Sequence, residues 1–250
     1  MKTVLAIAKR EILSFFVSPI AYVVLTAWLL WSGISFYALA QFYASNPSHG
    51  STDTPISIFF GGTTLFFIPL LFFVPALTMR LIAEEKRSGT IEPLMTAPVT
   101  EVAVVFGKYL ASLVFWIALW FPTLMYVWLT SRYGSVDMGA VAASYVGIFG
   151  IGIYYMAIGV LMSAVAKNQI VAAMLTFMML GLLFVFGIFS QIMVDSDYEE
   201  LFTYMSVWGH MATFSRGVID TRPIIFDVSI AAIALFFAVR VMSQRNKGAA

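Results

Sequence analysis

The chain has 250 residues, of which 61% are hydrophobic and only 11% are charged, and its formal net charge is +1. A soluble domain averages about 45–50% apolar and about 25% charged residues, so this composition predicts helices that are solvated by lipid. The absence of cysteine excludes disulfides, thiolate metal sites and a cysteine nucleophile. The sequence has no basic patch with interleaved aromatic residues, which argues against a nucleic-acid partner.

Residues 1–18 have the pattern of an amphipathic helix. At about 100° per residue, Val4, Ala8 and Ile12 share one face, and the cationic Lys2 and Arg10 lie on the other. This pattern predicts a helix lying in the headgroup plane at the cytoplasmic surface. The alternative is that it forms the start of the first spanning helix. A break at Ser18–Pro19 favours the separate helix, because proline disfavours helix in the preceding residue and begins the next helix well.

Six segments are apolar and long enough to cross a bilayer, which predicts an all-α membrane protein with a six-span domain over residues 19–243 and a cytoplasmic tail over 244–250. The second segment contains Pro69 and Pro75, which remove backbone hydrogen bonds and form either hinges or static kinks. Residues 195–222 mix acidic residues with apolar residues at helical intervals, which predicts short helices at the outer membrane surface. The six predicted spans are Ile20–Phe42, Ile58–Ile82, Val102–Ser131, Gly139–Ala166, Ile170–Val194 and Pro223–Met242.

The distribution of positive charge predicts the orientation. With six spans, eleven of the 14 Lys and Arg residues lie on the side of the termini and three on the opposite side. By the positive-inside rule, both termini and the loop over residues 83–101 are cytoplasmic. The ionisable residues of the spans lie near span ends, where their side chains can reach the interface: Arg80, Lys108, Asp227 and Arg240. The lack of charge at span centres argues against an ion-coupled transporter.

The loop over residues 83–101 is the only internal run of the sequence that is dense in charge. Gly89 can turn the chain, and Thr90 can cap a short helix with Glu92 in its first turn. Pro98 ends that helix, and Thr100 can cap the next one. Three residues give the short helix an apolar side: Ile91, Leu94 and Met95. The pattern favours a docking element for a cytoplasmic partner; an ordinary solvated loop is the alternative.

The N-terminal helix, the six spans and a loop of the form E-x-K-x-x-G-T-x-E-x-L-x-x-x-P resemble the permease subunits of ABC-2 type transporters. The matching residues are Glu84, Lys86, Gly89, Thr90, Glu92, Leu94 and Pro98. A second group is similar to the segment before the last span in the gliding-motility and nitrous-oxide-reductase-maturation branches: His210, Phe214, Arg216, Gly217 and Asp220. The resemblance covers nearly the whole chain, but the sequence has no nucleotide-binding domain and no G-x-x-x-x-G-K-[ST].

The resemblance implies a type V exporter-like permease fold in a bacterial inner membrane, with two such subunits and two cytoplasmic ATPase subunits. ATP and magnesium would bind to the ATPases, so this chain would bind no cofactor and would not itself be an enzyme. Lipid, a second permease subunit and a periplasmic protein would be its other partners. The residues implied to couple the permease to the ATPase are Glu84, Glu85, Lys86, Gly89, Thr90, Ile91, Glu92, Leu94 and Pro98.

Three other functions compete with substrate export. Within the same fold, ATP hydrolysis could drive the movement of periplasmic or cell-surface partners. An intramembrane enzyme would need a Ser–His, paired Asp or metal constellation among the spans, and the sequence shows none. A membrane anchor would need no such residues. His210, next to Trp208 and Phe214, has the surroundings of a packed histidine more than those of a ligand. An adjacent ATPase gene would separate the permease from the enzyme and the anchor.

Overall fold

The computed structural model describes residues 2–45, 55–61, 67–89, 99–134, 136–192 and 199–248, and each regular element within them is a helix. A single 3-10 turn at Phe121–Thr123 joins the sixth helix to the seventh. The helices are α1 (Lys2–Val17), α2 (Pro19–Ser45), α3 (Pro55–Gly61), α4 (Leu70–Thr78), α5 (Ala83–Arg87), α6 (Glu101–Trp120), α7 (Leu124–Tyr133), α8 (Met138–Val165), α9 (Gln169–Ile192), α10 (Glu199–Met205), α11 (Val207–Ser215) and α12 (Thr221–Gly248).

Local sequence signals explain several of the helix boundaries. The break between α1 and α2 falls at Ser18, directly before Pro19, as the sequence predicts. The hydroxyl of Thr100 accepts a hydrogen bond from the backbone N–H of Ala103 at 3.2 Å, so the predicted cap of α6 is confirmed. Gly89, just after α5, has a φ of 71°, a conformation that L side chains rarely adopt, which confirms the predicted turn.

Within the described residues, five helical stretches are long and apolar enough to cross a membrane. They correspond to the first, third, fourth, fifth and sixth predicted spans. The third combines α6, the 3-10 turn and α7, with Pro122 inside the turn. The five stretches are Pro19–Ser45, Glu101–Tyr133, Met138–Val165, Gln169–Ser190 and Thr221–Gln244.

The second predicted span, Ile58–Ile82, is interrupted in the described residues, and its crossing of the membrane stays a prediction. The chain forms the short helices α3 and α4 with turns at residues 67–69 between them. Pro69 stands at the N-cap of α4, where its missing N–H costs no helical hydrogen bond. Pro75 lies inside α4, and its carbonyl accepts from the backbone N–H of Met79 at 2.9 Å. The role of the two prolines as hinges stays a prediction.

We call residues 55–82, of which the structure describes 55–61 and 67–82, the return segment. Successive residues of this segment contact positions that lie closer and closer to the start of α2. Phe59 packs on Phe36, with ring centroids 5.8 Å apart. Further along, Phe73 packs on Trp28, which lies eight residues closer to the start of α2, with centroids 6.0 Å apart. At the end of the segment, the Arg80 guanidinium donates to the Ser18 hydroxyl at 2.6 Å. The segment therefore brings the chain back to the end of the helical bundle at which α2 begins, here called the proximal end.

Helix α8 is the most buried of the candidate spans because glycines on its surface let neighbouring side chains approach its backbone. A Cβ at Gly147 would overlap the ring of Phe214 from α11, one at Gly150 would overlap the carboxylate of Asp227 from α12, and one at Gly159 would overlap Thr78 from α4. The indole ring of Trp116 occupies the space beside Gly152, and its N–H donates to the carbonyl of Ile148 at 3.1 Å. A movement of α8 would therefore displace the helices that pack on several of its sides.

The segment over residues 195–222 contains the short helices α10 and α11, as predicted; their position at the outer membrane surface stays a prediction. Helix α11 is not a peripheral element, because its face with Val207, Met211 and Phe214 is buried in the hydrophobic core. Gly217, with a φ of 82°, ends it through a hydrogen bond from its N–H to the carbonyl of Phe214.

Candidate functional site

Four charged side chains meet at the proximal end and join three helices that are distant in the sequence. Lys108 of α6 lies between two carboxylates: its Nζ is 2.9 Å from Oε1 of Glu11 on α1 and 2.9 Å from Oε1 of Glu85 on α5. Arg10 of α1 contacts the same two oxygens, at 2.9 Å and 3.2 Å. We call Arg10, Glu11, Glu85 and Lys108 the Lys108 cluster. With two cations and two anions, it carries no net charge.

Burial makes Lys108 the centre of this cluster. Its side chain is 1% exposed, whereas those of Glu11 and Glu85 are 14% and 16% exposed. A buried ammonium without partners would cost several kcal/mol, about what the loss of one partner of a buried pair costs. The side chain turns towards α1 and α5, where it contacts Glu11 and Glu85; its predicted reach to the membrane interface stays a prediction. The position of α5 on α1 and α6 thus depends on matched charges.

The cluster also shifts the pKa of two of its members, Glu11 and Arg10. Burial alone would raise the pKa of the Glu11 carboxyl, but the attraction of Lys108 and the hydrogen bonds from Lys108 and Arg10 outweigh it, and the pKa lies below its ordinary value. The hydrogen bond to Glu11 raises the pKa of Arg10 against the opposing effect of burial, and the charge of Glu85 adds to the rise. Both shifts favour the charged forms of Glu11 and Arg10.

A cavity of about 600 Å³ opens beside the cluster, between α1, the start of α2, the end of the return segment, α5 and α6. Arg80 lines it and lies 3.9 Å from the carboxylate of Glu84, which is half-exposed. Apolar side chains of α1, such as Phe15 and Val17, complete the wall. Charged side chains therefore line one part of the cavity, and apolar side chains line another.

Among the predicted coupling residues, the structure describes Glu84, Glu85, Lys86 and Gly89. Glu85 belongs to the Lys108 cluster. The ammonium group of Lys86 donates to backbone carbonyls at the end of α8, those of Ala164 and Ala166. Both side chains thus contact neighbouring helices of the same chain, and only Glu84 and Gly89 lie at the surface among these four. The remaining predicted coupling residues lie outside the described part of the chain: Thr90, Ile91, Glu92, Leu94 and Pro98.

A second buried pair lies away from the proximal end. Nδ1 of His210 on α11 is 3.7 Å from Oδ1 of Asp227 on α12, and both side chains are at most 5% exposed. Since a carbonyl only accepts, the 2.9 Å contact of His210 Nε2 with the carbonyl of Tyr204 places a hydrogen on Nε2. The ring of Phe226 packs on His210, with centroids 5.5 Å apart.

The structure therefore supports a packing role for His210 but adds a partner that the sequence analysis did not identify. That partner, Asp227, is 1% exposed and packs against Gly150 of α8; its predicted reach to the membrane interface stays a prediction. Of the other residues of the second sequence group, Phe214 is buried against Gly147, and Arg216 and Gly217 form the end of α11. Asp220 accepts a hydrogen bond from the backbone N–H of Arg222 at 2.9 Å.

The described residues contain no group of three or more His, Asp or Glu side chains that could hold a metal ion. At the proximal end, the short helix α5 is held by ion pairs on one side and by hydrogen bonds between side chains and backbone on the other. It forms the start of the loop over residues 83–101 that the sequence predicts to dock a partner.

Comparison with known protein families gives the class of the protein. Residues 5–208 match the family described as ABC-2 family transporter protein. The match spans more than half of the chain, so the chain belongs to the ABC-2 family and is a multi-pass membrane protein of the permease class of ABC transporters, which work with an ABC ATPase subunit. The match gives no support to the gliding-motility and nitrous-oxide-reductase-maturation branches. No curated protein matches the chain.

Proposed function

We propose that this chain is the permease subunit that couples ATP hydrolysis by a separate pair of cytoplasmic ATPase subunits to the export of a substrate across a bacterial inner membrane. The observation that carries the proposal is the Lys108 cluster, which fixes α5, at the start of the loop over residues 83–101, to α1 and α6. A force applied to that loop by an ATPase would reach these two helices through charge-assisted hydrogen bonds.

We also propose that the chain crosses the membrane six times. The return segment supports this, because α2, with 27 residues, is about 40 Å long, and Arg80 nevertheless contacts Ser18 at its beginning. The two short helices of the segment together would make the second crossing. Both termini and α5 then lie in the cytoplasm, with α1 at the membrane surface. A second copy or a related permease subunit would complete the transport path.

Reconstitution with its partner ABC ATPase tests the coupling. The complex in proteoliposomes should hydrolyse ATP faster than the ATPase alone. Glu92→Lys should leave the chain in the membrane but remove the stimulation, because it reverses a charge in the predicted docking loop. Arg132→Glu, an equally large charge change at an exposed position after the third span, is the matched control and should keep the stimulation. Full stimulation in the Glu92→Lys complex would contradict the assignment of the loop.

A further inference from the structure

The contact between α5 and α8 consists of hydrogen bonds in both directions between helix ends. The hydroxyl of Ser163, in the last turn of α8, accepts from the backbone N–H groups of Ile82 at 3.0 Å and Ala83 at 3.1 Å. These are N–H groups at the start of α5, which the helix itself leaves without a partner. The same hydroxyl donates to the carbonyl of Met79 at 3.3 Å. A side chain of α8 thus caps α5.

The reciprocal contact is made by Lys86, in the last turn of α5. Its ammonium group donates to the carbonyl of Ala164 and, at 3.3 Å, to that of Ala166. The last carbonyls of a helix have no partner within the helix and carry its partial negative charge, so a cation is favoured there. A side chain of α5 thus caps α8. We call Lys86, Ser163 and the backbone groups they bind the α5–α8 clamp.

Resting on the proposed function, we propose that Lys86 and Ser163 are positioning residues that make α5 and α8 move as one body when the ATPase acts on the loop. Ser163 is completely buried and Lys86 is half-buried, so water competes weakly for their hydrogen bonds. Helix α8 is also the helix into which α4, α6, α11 and α12 insert side chains at its glycines. The clamp thus carries movement of the loop to the centre of the bundle, and Lys86 acts inside the permease without contacting the ATPase.

Distance measurements between spin labels test this in the complete complex with its ATPase. The chain has no cysteine, so labels can be attached at single introduced cysteines. The first label pair, Arg87→Cys with Met138→Cys, joins α5 to the far end of α8. The second pair, Ile34→Cys with Met138→Cys, joins α2 to the same end of α8. Residues 34, 87 and 138 are exposed.

Without nucleotide, Lys86→Met should shift and broaden the distance distribution of the first pair, because α5 loses its hold on α8. Lys86→Arg should keep the narrow distribution, since a guanidinium also donates to carbonyls. Lys167→Met, which removes an exposed charge at the same end of α8, is the matched control and should leave it unchanged. Ser163→Ala should broaden the distribution as Lys86→Met does. Equal distributions in the wild type and both clamp variants would overturn the proposal.

With ATP and vanadate, the wild-type complex should keep the first distance and change the second. In Lys86→Met the first distance should change and the second should change less. A change of the first distance in the wild type would overturn the clamp and leave the proposed function intact. A second distance that ATP never changes would contradict the proposed function, and the measurements without nucleotide would still decide on the clamp.

Discussion

At the residue scale, Lys108 shows why one cation inside an apolar helix binds three elements together. The Lys108 cluster is neutral, and each of its carboxylates receives two charged donors. Surface ion pairs contribute little to stability, with a median of about 0–1 kcal/mol. The loss of one partner of a buried pair costs much more, because the remaining charge is left without compensation. Separating α1 or α5 from α6 would leave a buried charge without compensation, and the cluster therefore holds the three helices together.

The lowered pKa of Glu11 predicts how stability depends on pH. A carboxyl whose pKa is lower in the folded protein than its ordinary value of 4.5 stabilises the fold above pH 4.5. This contribution is lost as the pH falls below 4.5 towards the folded pKa. At pH 7, Glu11→Gln should lower the free energy of unfolding by about 1–3 kcal/mol. The difference from the wild type should shrink as the pH falls below 4.5.

Denaturant titrations of the purified chain in detergent at pH 7 and at successively lower pH measure this difference. Lys9→Met is the control, because Lys9 is an exposed residue of the same helix; its effect should stay within about 0.5 kcal/mol at each pH. A difference between the wild type and Glu11→Gln that grows towards low pH would refute the linkage.

At the scale of elements, α8 depends on residues without side chains. A Cβ at Gly152 would overlap the indole nitrogen of Trp116 and disturb its hydrogen bond to Ile148. We expect Gly152→Ala to destabilise the protein by about 1–3 kcal/mol, the usual cost of overpacking. Gly181→Ala in α9 is the matched control, since no atom lies within 4 Å of its added Cβ. It should be neutral or stabilising, because alanine favours helix over glycine by about 1 kcal/mol.

Unfolding in detergent, followed through the near-ultraviolet circular dichroism of the tryptophans, compares the two glycine variants. Gly152→Ala should lower the free energy of unfolding, whereas Gly181→Ala should leave it unchanged or raise it. Equal effects of Gly152→Ala and Gly181→Ala would mean that Trp116 does not pack on α8 as described.

The sequence was sufficient where the cause of a structure is local. Proline at 19 and threonine at 100 set helix starts through their own backbone and hydroxyl groups, and both were predicted. The interruption of the second span was expected only as a kink at its prolines, because apolar composition indicates that a segment is solvated by lipid and does not show where its helix ends. Pro69 was recognised as a kink, but its place at the start of a separate helix depends on how the segment packs against α2 and α8.

The Lys108 cluster and the α5–α8 clamp could not be predicted because they join residues that are 97 and about 80 positions apart. Two signals in the sequence pointed towards them. Lys108 lies seven residues inside a candidate span, where a cation needs a partner, and Glu11 is the acidic residue of a helix whose polar face is otherwise cationic. Ser163 carries no such signal, since serine is common in membrane helices and its partners are backbone groups.

At the scale of the whole molecule, the contacts of the return segment bear on the number of membrane crossings. Phe59, Phe73 and Arg80 contact positions successively closer to the start of α2. The proximal end also gathers Arg10 of α1, Lys108 at the start of α6 and Ala164 at the end of α8. This order of helix starts and ends supports the proposed crossing between α2 and α6, although neither α3 nor α4 is long enough to span a bilayer by itself.

Labelling of single cysteines with a membrane-impermeant maleimide tests this topology in intact cells. We expect Lys9→Cys and Gln244→Cys to react only after the membrane is opened, and Arg132→Cys to react in intact cells. If the return segment did not cross, residues 132 and 244 would exchange sides, because every later crossing would be reversed. All three residues are exposed, so a missing reaction reports sidedness and not burial. Labelling of Gln244→Cys in intact cells would contradict six crossings, and with them the placement of α5 and its loop on the side of the ATPase.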